Sequence, residues 1–335
     1  MTLLAIISKI YSFLSFAERK FFEIFGFLVY KPKAKVVSVG NISMGGTGKT
    51  PVLFELLSEI KTSVCVLTRG YRSPYERSFY VLHKDGDHPQ ELTDEALMTN
   101  KRFPFVPVLV GKNRHHSAIM GEMMFAPDIF LLDDGFQYRR IRKDFNILLF
   151  DAMCDPAEAC VLPMGRLREP FERLKIADVI LLTRCNSVSE ERADYWFNKI
   201  RSIAPDTKII KTGTFCDGLF DNFGNRQSPV GKSYLAFSGI GRPQSFYAQL
   251  ADNNCKVVES SEFKDHHRFT ADELGTLRKR AELAGLTLVC TEKDAVKIPA
   301  HIAETMKLEV LRIRVRPLNK EPFLTAMGVN KQTLF

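Results

Sequence analysis

Short apolar runs rich in Val, Ile and Leu recur at residues 36–39, 64–68, 106–110, 129–133, 146–151 and 179–183. Stretches with helical spacing separate them. Such runs, short and largely apolar, read as strands buried on both faces. Their alternation with helices predicts a doubly wound parallel sheet. A second set of runs, at 233–237, 257–258, 286–290 and 308–315, predicts a smaller α/β lobe. The polar, glycine-containing stretch 216–232 lies between the two sets and is expected to be a hinge. The predicted division is a helix over 1–30, a main domain over 31–215, the hinge, and a C-terminal lobe over 233–335. Two such lobes are expected to leave a cleft whose closure excludes water.

The first thirty residues follow a different pattern. They are rich in Leu, Ile and Phe, yet Lys9, Glu18, Arg19, Lys20 and Glu23 interrupt them. The longest uncharged stretch falls well short of the roughly 20 residues that a spanning helix needs. Ser8, Ser12, Ser15, Arg19 and Glu23 step by three or four and make one narrow polar stripe in an apolar surround. Lys31, Lys33 and Lys35 follow. A helix of this kind lies in a membrane interface with its apolar face down; the alternative is a helix packed on the protein's own core. A cleaved signal peptide fits less well, because charge breaks the apolar runs and no small-x-small site follows.

The 335 residues are 45% hydrophobic and 26% charged, an ordinary globular composition that supports two domains. The net charge of +8 suits an anionic partner. The basic residues are spread out, with no aromatic-interleaved patch, so nucleic acid is not the expected partner. The seven cysteines are odd in number and form no C-x-x-C pair. They read as small core residues in a reducing compartment, not as disulfides or a zinc site.

Candidate chemistry begins where the first strand ends. Ser43-Met44-Gly45-Gly46-Thr47-Gly48-Lys49-Thr50 follows the 36–39 run and precedes a helical pattern with Leu53, Phe54, Leu56, Leu57 and Ile60 apolar. Strand, glycine-rich loop, helix is the order that a phosphate cradle requires. The glycines let backbone N–H groups close around phosphate oxygens, and the helix N-terminus faces the anion. Lys49 is placed to reach the β- and γ-phosphates of ATP, and the Thr50 hydroxyl to ligate Mg²⁺. Pro51 falls in the first helical turn, where a missing N–H costs little. One departure from the strict pattern is Ser43, where glycine is usual.

Downstream, Asp128-Ile129-Phe130-Leu131-Leu132-Asp133-Asp134-Gly135 is an apolar strand that ends in two carboxylates. Beside a phosphate loop this is the Walker B arrangement, with Asp133 and Asp134 as candidate Mg²⁺ ligands. By itself it would be an Asp-Asp-Gly turn. Arg69-Gly70-Tyr71-Arg72 ends another strand, a position suited to an anionic substrate, or else is a solvated loop. Thr93-Asp94-Glu95 reads as a capped helix start or as the site of a general base. Asp265-His266-His267 is a surface loop or an oriented imidazole for proton handling. Thr291-Glu292-Lys293-Asp294 is a solvated turn or a nucleobase-reading corner.

Taken in order, Ser38-Val39-Gly40-Asn41 with Gly-Gly-Thr-Gly-Lys-Thr-Pro, Thr68-Arg69-Gly70-Tyr71, Asp94-Glu95-Ala96 and Gly111-Lys112-Asn113-Arg114 form the first half of a longer pattern. Leu132-Asp133-Asp134-Gly135-Phe136-Gln137, Leu167-Arg168-Glu169-Pro170, Phe237-Ser238-Gly239-Ile240, Asp265-His266-His267 and the segment Thr291 to Lys297 complete it. With this set the chain resembles the lipid A disaccharide kinases, the tetraacyldisaccharide 4'-kinase family. The resemblance implies a P-loop kinase domain over 31–215. It implies transfer of the ATP γ-phosphate, with Mg²⁺, to the 4'-hydroxyl of an acylated glucosamine disaccharide 1-phosphate. It places the protein on the cytoplasmic face of a Gram-negative inner membrane, peripheral or monotopic through residues 1–30, and a monomer is expected. By resemblance Asp94 is the base on the hydroxyl and His266 assists it. Lys49 and Asp134 complete the catalytic set, and Arg69, Gly70, Tyr71, Glu95, Gln137 and Arg168 are substrate contacts. Tyr138 stands where histidine is expected, and Arg166 in a stretch that is often apolar or small. The competing reading is a membrane-associated P-loop NTPase switch that passes phosphate to water.

Overall fold

A computed structural model describes residues 3–84 and 88–328. Its elements run α1 (Leu3–Ile24), β1 (Lys35–Asn41), α2 (Lys49–Glu59), β2 (Val64–Thr68), β3 (Tyr80–Leu82), α3 (Asp94–Arg102), β4 (Val108–Val110), α4 (Arg114–Phe125) and β5 (Ile129–Asp133). Then come β6 (Phe145–Asp151), β7 (Val179–Thr183), α5 (Glu190–Ile203), β8 (Lys208–Asp221), β9 (Arg226–Gln227), β10 (Ser233–Ser238), α6 (Pro243–Asp252) and β11 (Lys256–Glu262). The chain ends with α7 (Ala271–Ala284), β12 (Thr287–Thr291), α8 (Glu292–Ala295), α9 (Ala300–Ala303), β13 (Leu308–Pro317) and α10 (Phe323–Ala326). Of the described residues, 3–84, 103–214 and 315–328 form one compact unit, and 88–102 with 215–314 a second.

The first unit is the expected doubly wound sheet, in the order β3-β4-β2-β5-β1-β6-β7-β8. Every pairing along it is parallel except β3 with β4. The residues of β2, β5 and β7 are buried throughout, as is β1 from Val36 onward, which is why they read as unbroken apolar runs. β1 lies between β5 and β6, with Val39 opposite both Asp133 and Ile147. The chain winds one way from β1 toward β2 and the other way toward β7. The carboxyl ends of β1 and β5 therefore flank the switch point, where ligands of such sheets bind. Below the β6–β8 half of this sheet, Trp196 packs with Phe150 and Phe171.

The second unit holds a parallel sheet in the order β11-β10-β12-β13. Phe237, Leu274, Leu288 and Cys290 form part of its core on one side, and Tyr234, Phe246 and Val289 on the other. The units are discontinuous in sequence, unlike the contiguous division expected from pattern alone. Segment 87–102 joins the second unit through α3, where Arg102 pairs with Glu292 at 3.4 Å, and through Arg268, whose guanidinium donates to the Gln90 carbonyl at 2.9 Å. The C-terminal segment returns to the first unit, where the Glu59 carboxylate accepts from the Phe323 and Leu324 N–H groups at 3.0 and 2.9 Å. Stretch 216–232 is not uniformly irregular: it contains the end of β8 and all of β9, which pair antiparallel at Leu219 and Gln227.

Helix α1 carries its polar stripe inward from Ser8 to Arg19, while Glu23 at its end is exposed and pairs with Lys20. Ser8 is buried and donates its hydroxyl to the Val161 carbonyl at 2.9 Å. Arg19 reaches the buried Glu169 at 3.5 Å. Ser12 and Ser15 are half-buried on the same side. The apolar residues face outward: Leu3 is 72% exposed, Phe13 66% and Ile24 73%. Among the described residues no helix is long and apolar enough to cross a membrane.

Candidate active site

The phosphate loop leaves β1 at Asn41 and enters α2 at Lys49. Gly45 and Gly48 have φ of 100° and 88°, conformations that a side chain strains. A Cβ on Gly45 would also stand 2.9 Å from the Arg166 guanidinium. Gly48 caps α2, so the N–H groups of Lys49 and Thr50 lie in the first turn without helical partners. The departure at Ser43 has a plain cause: Ser43 forms an extended bridge with Leu167, a conformation any residue adopts. Met44 N–H donates to the Arg166 carbonyl at 2.7 Å, and Arg168 N–H to the Ile42 carbonyl at 2.6 Å. Arg166 is thus one backbone support of the loop.

A second support comes from the ends of β6 and β7. The Thr183 hydroxyl donates to the Thr47 carbonyl at 2.9 Å. Arg184 pairs with Asp151, and its guanidinium also donates to the Gly46 carbonyl. Within the loop the Asn41 amide donates to the Thr47 hydroxyl at 2.9 Å. With their carbonyls tied back, Gly46 and Thr47 are oriented by contacts that do not involve their N–H groups.

The two carboxylates end β5. The Thr68 hydroxyl donates to Asp133 at 3.2 Å. Asp134 has φ 49°, which aspartate tolerates better than most residues. It is flanked by Lys49 at 3.4 Å and Arg168 at 3.0 Å. Burial pushes its carboxyl up, but the two cations outweigh burial and hold it below the usual carboxylate range. Lys49 also lies 3.4 Å from the Asn41 side-chain oxygen. The Gln137 amide donates to the Asn41 carbonyl at 2.8 Å, so it fixes the end of β1. Tyr138 accepts the His115 N–H at 2.9 Å, and the buried Arg114 guanidinium lies 4.1 Å above its ring.

Arg69, Gly70 and Tyr71 follow β2. Arg69 forks onto Glu76 at 2.8 Å and stacks on the exposed Tyr71 ring. Gly70 has φ 69°, and a Cβ there would meet Val110 at 2.4 Å. The oxygen donors Thr50, Asp133 and Asp134 suit a hard cation such as Mg²⁺. Both oxygens of Asp134 face cations, Oδ1 toward Lys49 and Oδ2 toward Arg168. Among the described residues no three His, Cys, Asp or Glu side chains assemble around a metal position.

The second unit brings Asp94 and His266 together. Asp94 opens α3, and His266, at φ 61°, is held by its N–H donating to the Gly239 carbonyl at 3.1 Å. His266 Nδ1 lies 3.0 Å from Asp94 Oδ2. That hydrogen bond raises the His266 pKa against burial and the Lys293 charge. Burial pushes the Asp94 carboxyl up, but His266, Lys297 and Lys293 bring it below its ordinary value. Glu95 is half-buried beside Asp94. Asp294 is fully buried, bonded to the Thr291 hydroxyl at 2.7 Å and to Lys297 at 2.9 Å. It anchors Thr291 and Lys297, so the segment is not the solvated turn that the sequence also allowed.

Sequence reasoning missed Asn41, Asp151, Thr183, Arg184, Lys293 and Lys297 as members of these clusters. Asp151, Thr183 and Arg184 could have been found from their positions at or just beyond the carboxyl ends of predicted strands. Lys293 and Lys297 follow the predicted strand 286–290 and stand in the family pattern, but nothing in the sequence tied them to Asp94 or His266.

The fold and the loop define a P-loop nucleotide-binding α/β protein with a kinase-like pairing of Lys49 and a Walker B carboxylate. The model of the LpxK family, Tetraacyldisaccharide-1-P 4'-kinase, matches residues 1–329. The chain belongs to this family. It is 30% identical to the tetraacyldisaccharide 4'-kinase of Halothermothrix orenii, over 93% of this chain and 88% of that one. It is 34% identical to that of Chlamydia trachomatis serovar D, over 86% and 78%. The crystal structure of LpxK from Aquifex aeolicus, described as an "apo" form in complex with ATP, superposes with a TM-score of 0.74 at 25% identity, covering 98% of each chain. The protein is a kinase of lipid A biosynthesis.

Arg184→Ala removes a charged hydrogen bond that braces the loop, a contact type worth about 1.5–3 kcal/mol. ADP affinity measured by calorimetry should fall by roughly ten- to a hundredfold. Unchanged affinity would remove Arg184 from the loop's support.

Proposed function

We propose that Ser43–Thr50 bind the ATP triphosphate, that Asp94 and His266 take the proton of the 4'-hydroxyl, and that α1 rests in the membrane interface. The observation that carries the reading is Lys49 held between Asn41 and Asp134 at the start of α2, behind a left-handed Gly48. In the transfer the hydroxyl oxygen forms a bond to the γ-phosphorus, the bond to the β,γ-bridging oxygen breaks, and ADP leaves. Lys49 and Arg168 bear positive charge where the phosphoryl oxygens gather negative charge. Thr50, Asp133 and Asp134 would hold Mg²⁺, which supplies further neutralisation of the phosphates.

The acceptor proton ends on the Asp94–His266 pair, which gains it as an imidazolium beside a carboxylate. The pair must therefore begin with a neutral imidazole. Arg69, Gly70, Tyr71, Glu95 and Gln137 are proposed to shape the sugar-phosphate site, Gln137 through the end of β1. The outward apolar face of α1 supports an interfacial position, on the cytoplasmic face of a Gram-negative inner membrane where ATP is available. The net charge of +8 suits both an anionic lipid surface and the acceptor's 1-phosphate. A hydrolytic switch has no support in a family of kinases.

With γ-labelled ATP and detergent-dispersed acylated disaccharide 1-phosphate, label should move to the lipid. Lys49→Ala should cut that transfer by about 10²–10³-fold; near-wild-type turnover would sink the loop's role. Label appearing in free phosphate alone would instead favour hydrolysis.

The pH dependence has a definite sign. His266 titrates above its ordinary value because Asp94 stabilises the charged ring, so activity should rise with pH through that raised value. Asp94→Asn removes the stabilisation. The acid limb of kcat/KM should move to lower pH, while kcat falls by about 10²–10⁴-fold. An acid limb that stays in place would separate Asp94 from the titrating group.

Phe13→Glu with Leu14→Glu places charge on the exposed face of α1. The variant should stay in the supernatant when sedimented with anionic phospholipid vesicles that pull down the parent protein. Equal sedimentation would rule out this face as the membrane contact.

A further inference from the structure

The Asp94–His266 pair has a third member on α8. Lys293 Nζ lies 3.2 Å from His266 Nε2, 3.4 Å from Asp265 Oδ1 and 4.0 Å from Asp94 Oδ2. The charged groups around the imidazole come from several elements. Asp94 approaches from α3, Asp265 from the preceding residue at 3.9 Å, and Lys293 from α8. Lys297, with its side chain 4% exposed, sits 3.9 Å from Asp94 and is tied to Asp294 and to the Gly239 carbonyl. Glu273 is taken up by the neighbouring His267 at 3.0 Å.

The donors and acceptors fix the tautomer. An ionised Asp94 only accepts, so Nδ1 must carry its hydrogen toward Oδ2. An ammonium only donates, so Nε2 must present its lone pair to Lys293. A protonated ring would instead point an N–H at the ammonium, placing two donors and two positive charges face to face. Lys293 thus favours the neutral ring, while Asp94 favours the charged one.

We propose that Lys293 is a positioning residue that holds His266 as the neutral Nδ1–H tautomer and so sets the pH above which the pair can accept a proton. The contact at Nε2 carries the inference, and its kinetic consequence rests on the reading of Asp94 and His266 as the proton acceptor. The electrostatic direction agrees, since the Lys293 charge works against protonation of His266. Lys293 opposes Asp94 across one ring, so the two substitutions must act with opposite signs.

The test is a pH titration of the imidazole resonances by heteronuclear NMR, without substrate, alongside kcat/KM profiles. His266→Gln identifies the His266 signal. Lys293→Met should move the His266 midpoint to higher pH, and Lys293→Gln should do the same. Lys293→Arg keeps the charge and should leave the midpoint near that of the parent. The acid limb of kcat/KM should follow, with a several-fold loss at neutral pH that closes as pH rises. A purely structural role would disturb other resonances and lower activity at every pH without moving this midpoint. An unmoved midpoint in both neutral variants, or an equal shift in the arginine variant, overturns the proposal. A midpoint that moves while the acid limb does not would uphold the Lys293 contact and refute the pair as proton acceptor.

Discussion

The parallel pairing of β1 with β5 is the constraint from which the nucleotide site follows. Val39 opposite Asp133 brings the start of the phosphate loop level with the two carboxylates. Both strands are buried on both faces, and a slip of one residue would exchange the side chains packed on the two faces along the whole strand. The register is therefore fixed by the core, and the site inherits its precision. Lys49 meets Asp134 because a left-handed Gly48 starts α2 where it does. Arg168 meets the same carboxylate because its segment bridges the loop at Ser43. Sheet register, glycine geometry and one backing segment together place three charges within ion-pair distance.

Each unit handles a half-buried carboxylate by the same physics. Asp134 in the first and Asp94 in the second would be raised by burial, and each is brought below its ordinary value by neighbouring cations and hydrogen bonds. The cost of taking a carboxylate out of water is met by specific partners rather than by exposure. The consequence differs with the partner. Lys49 and Arg168 leave Asp134 a fixed negative charge suited to a cation. His266 gives Asp94 a titratable neighbour, so charge there answers to pH and protons can be taken up.

Much of the first unit was legible because buried parallel strands are written as unbroken apolar runs, and the loop because its glycines and Lys-Thr sit between strand and helix. β8 was missed: Lys211, Thr212, Gly213, Thr214 and Asp217 break its apolar signal, and half-buried positions recur along it. β11 showed only as two valines because every other residue faces solvent. The discontinuous units were invisible because side-chain contacts decide them, Glu59 on the Phe323 and Leu324 N–H groups and Arg102 on Glu292, and hydrophobic periodicity does not record such contacts. Asp94 and His266 lie 172 residues apart, so their pairing came from family resemblance, not from spacing. Lys293 lay inside the family pattern, in the segment Thr291 to Lys297, but nothing in the sequence tied it to His266.

Helix α1 shows how a legible pattern can leave its direction open. Its narrow polar stripe was plain in the sequence, but a stripe on an apolar helix can face solvent, lipid or protein. The structure settles the side, because Ser8 and Arg19 spend their polar groups on Val161 and Glu169. Glu169 is almost fully buried and also meets Arg173 and Arg139 at 2.9 and 3.7 Å. An arginine from α1 on a buried carboxylate is costly to pull away, since Glu169 would lose one of its three arginine partners in a poorly solvated place. The helix is thereby anchored by its few polar residues and presents its many apolar ones outward, the reverse of an ordinary surface helix. An exposed apolar face of this extent is expensive in water. An interfacial position removes that cost without requiring the helix to span the bilayer, and it leaves the polar anchor on the protein intact.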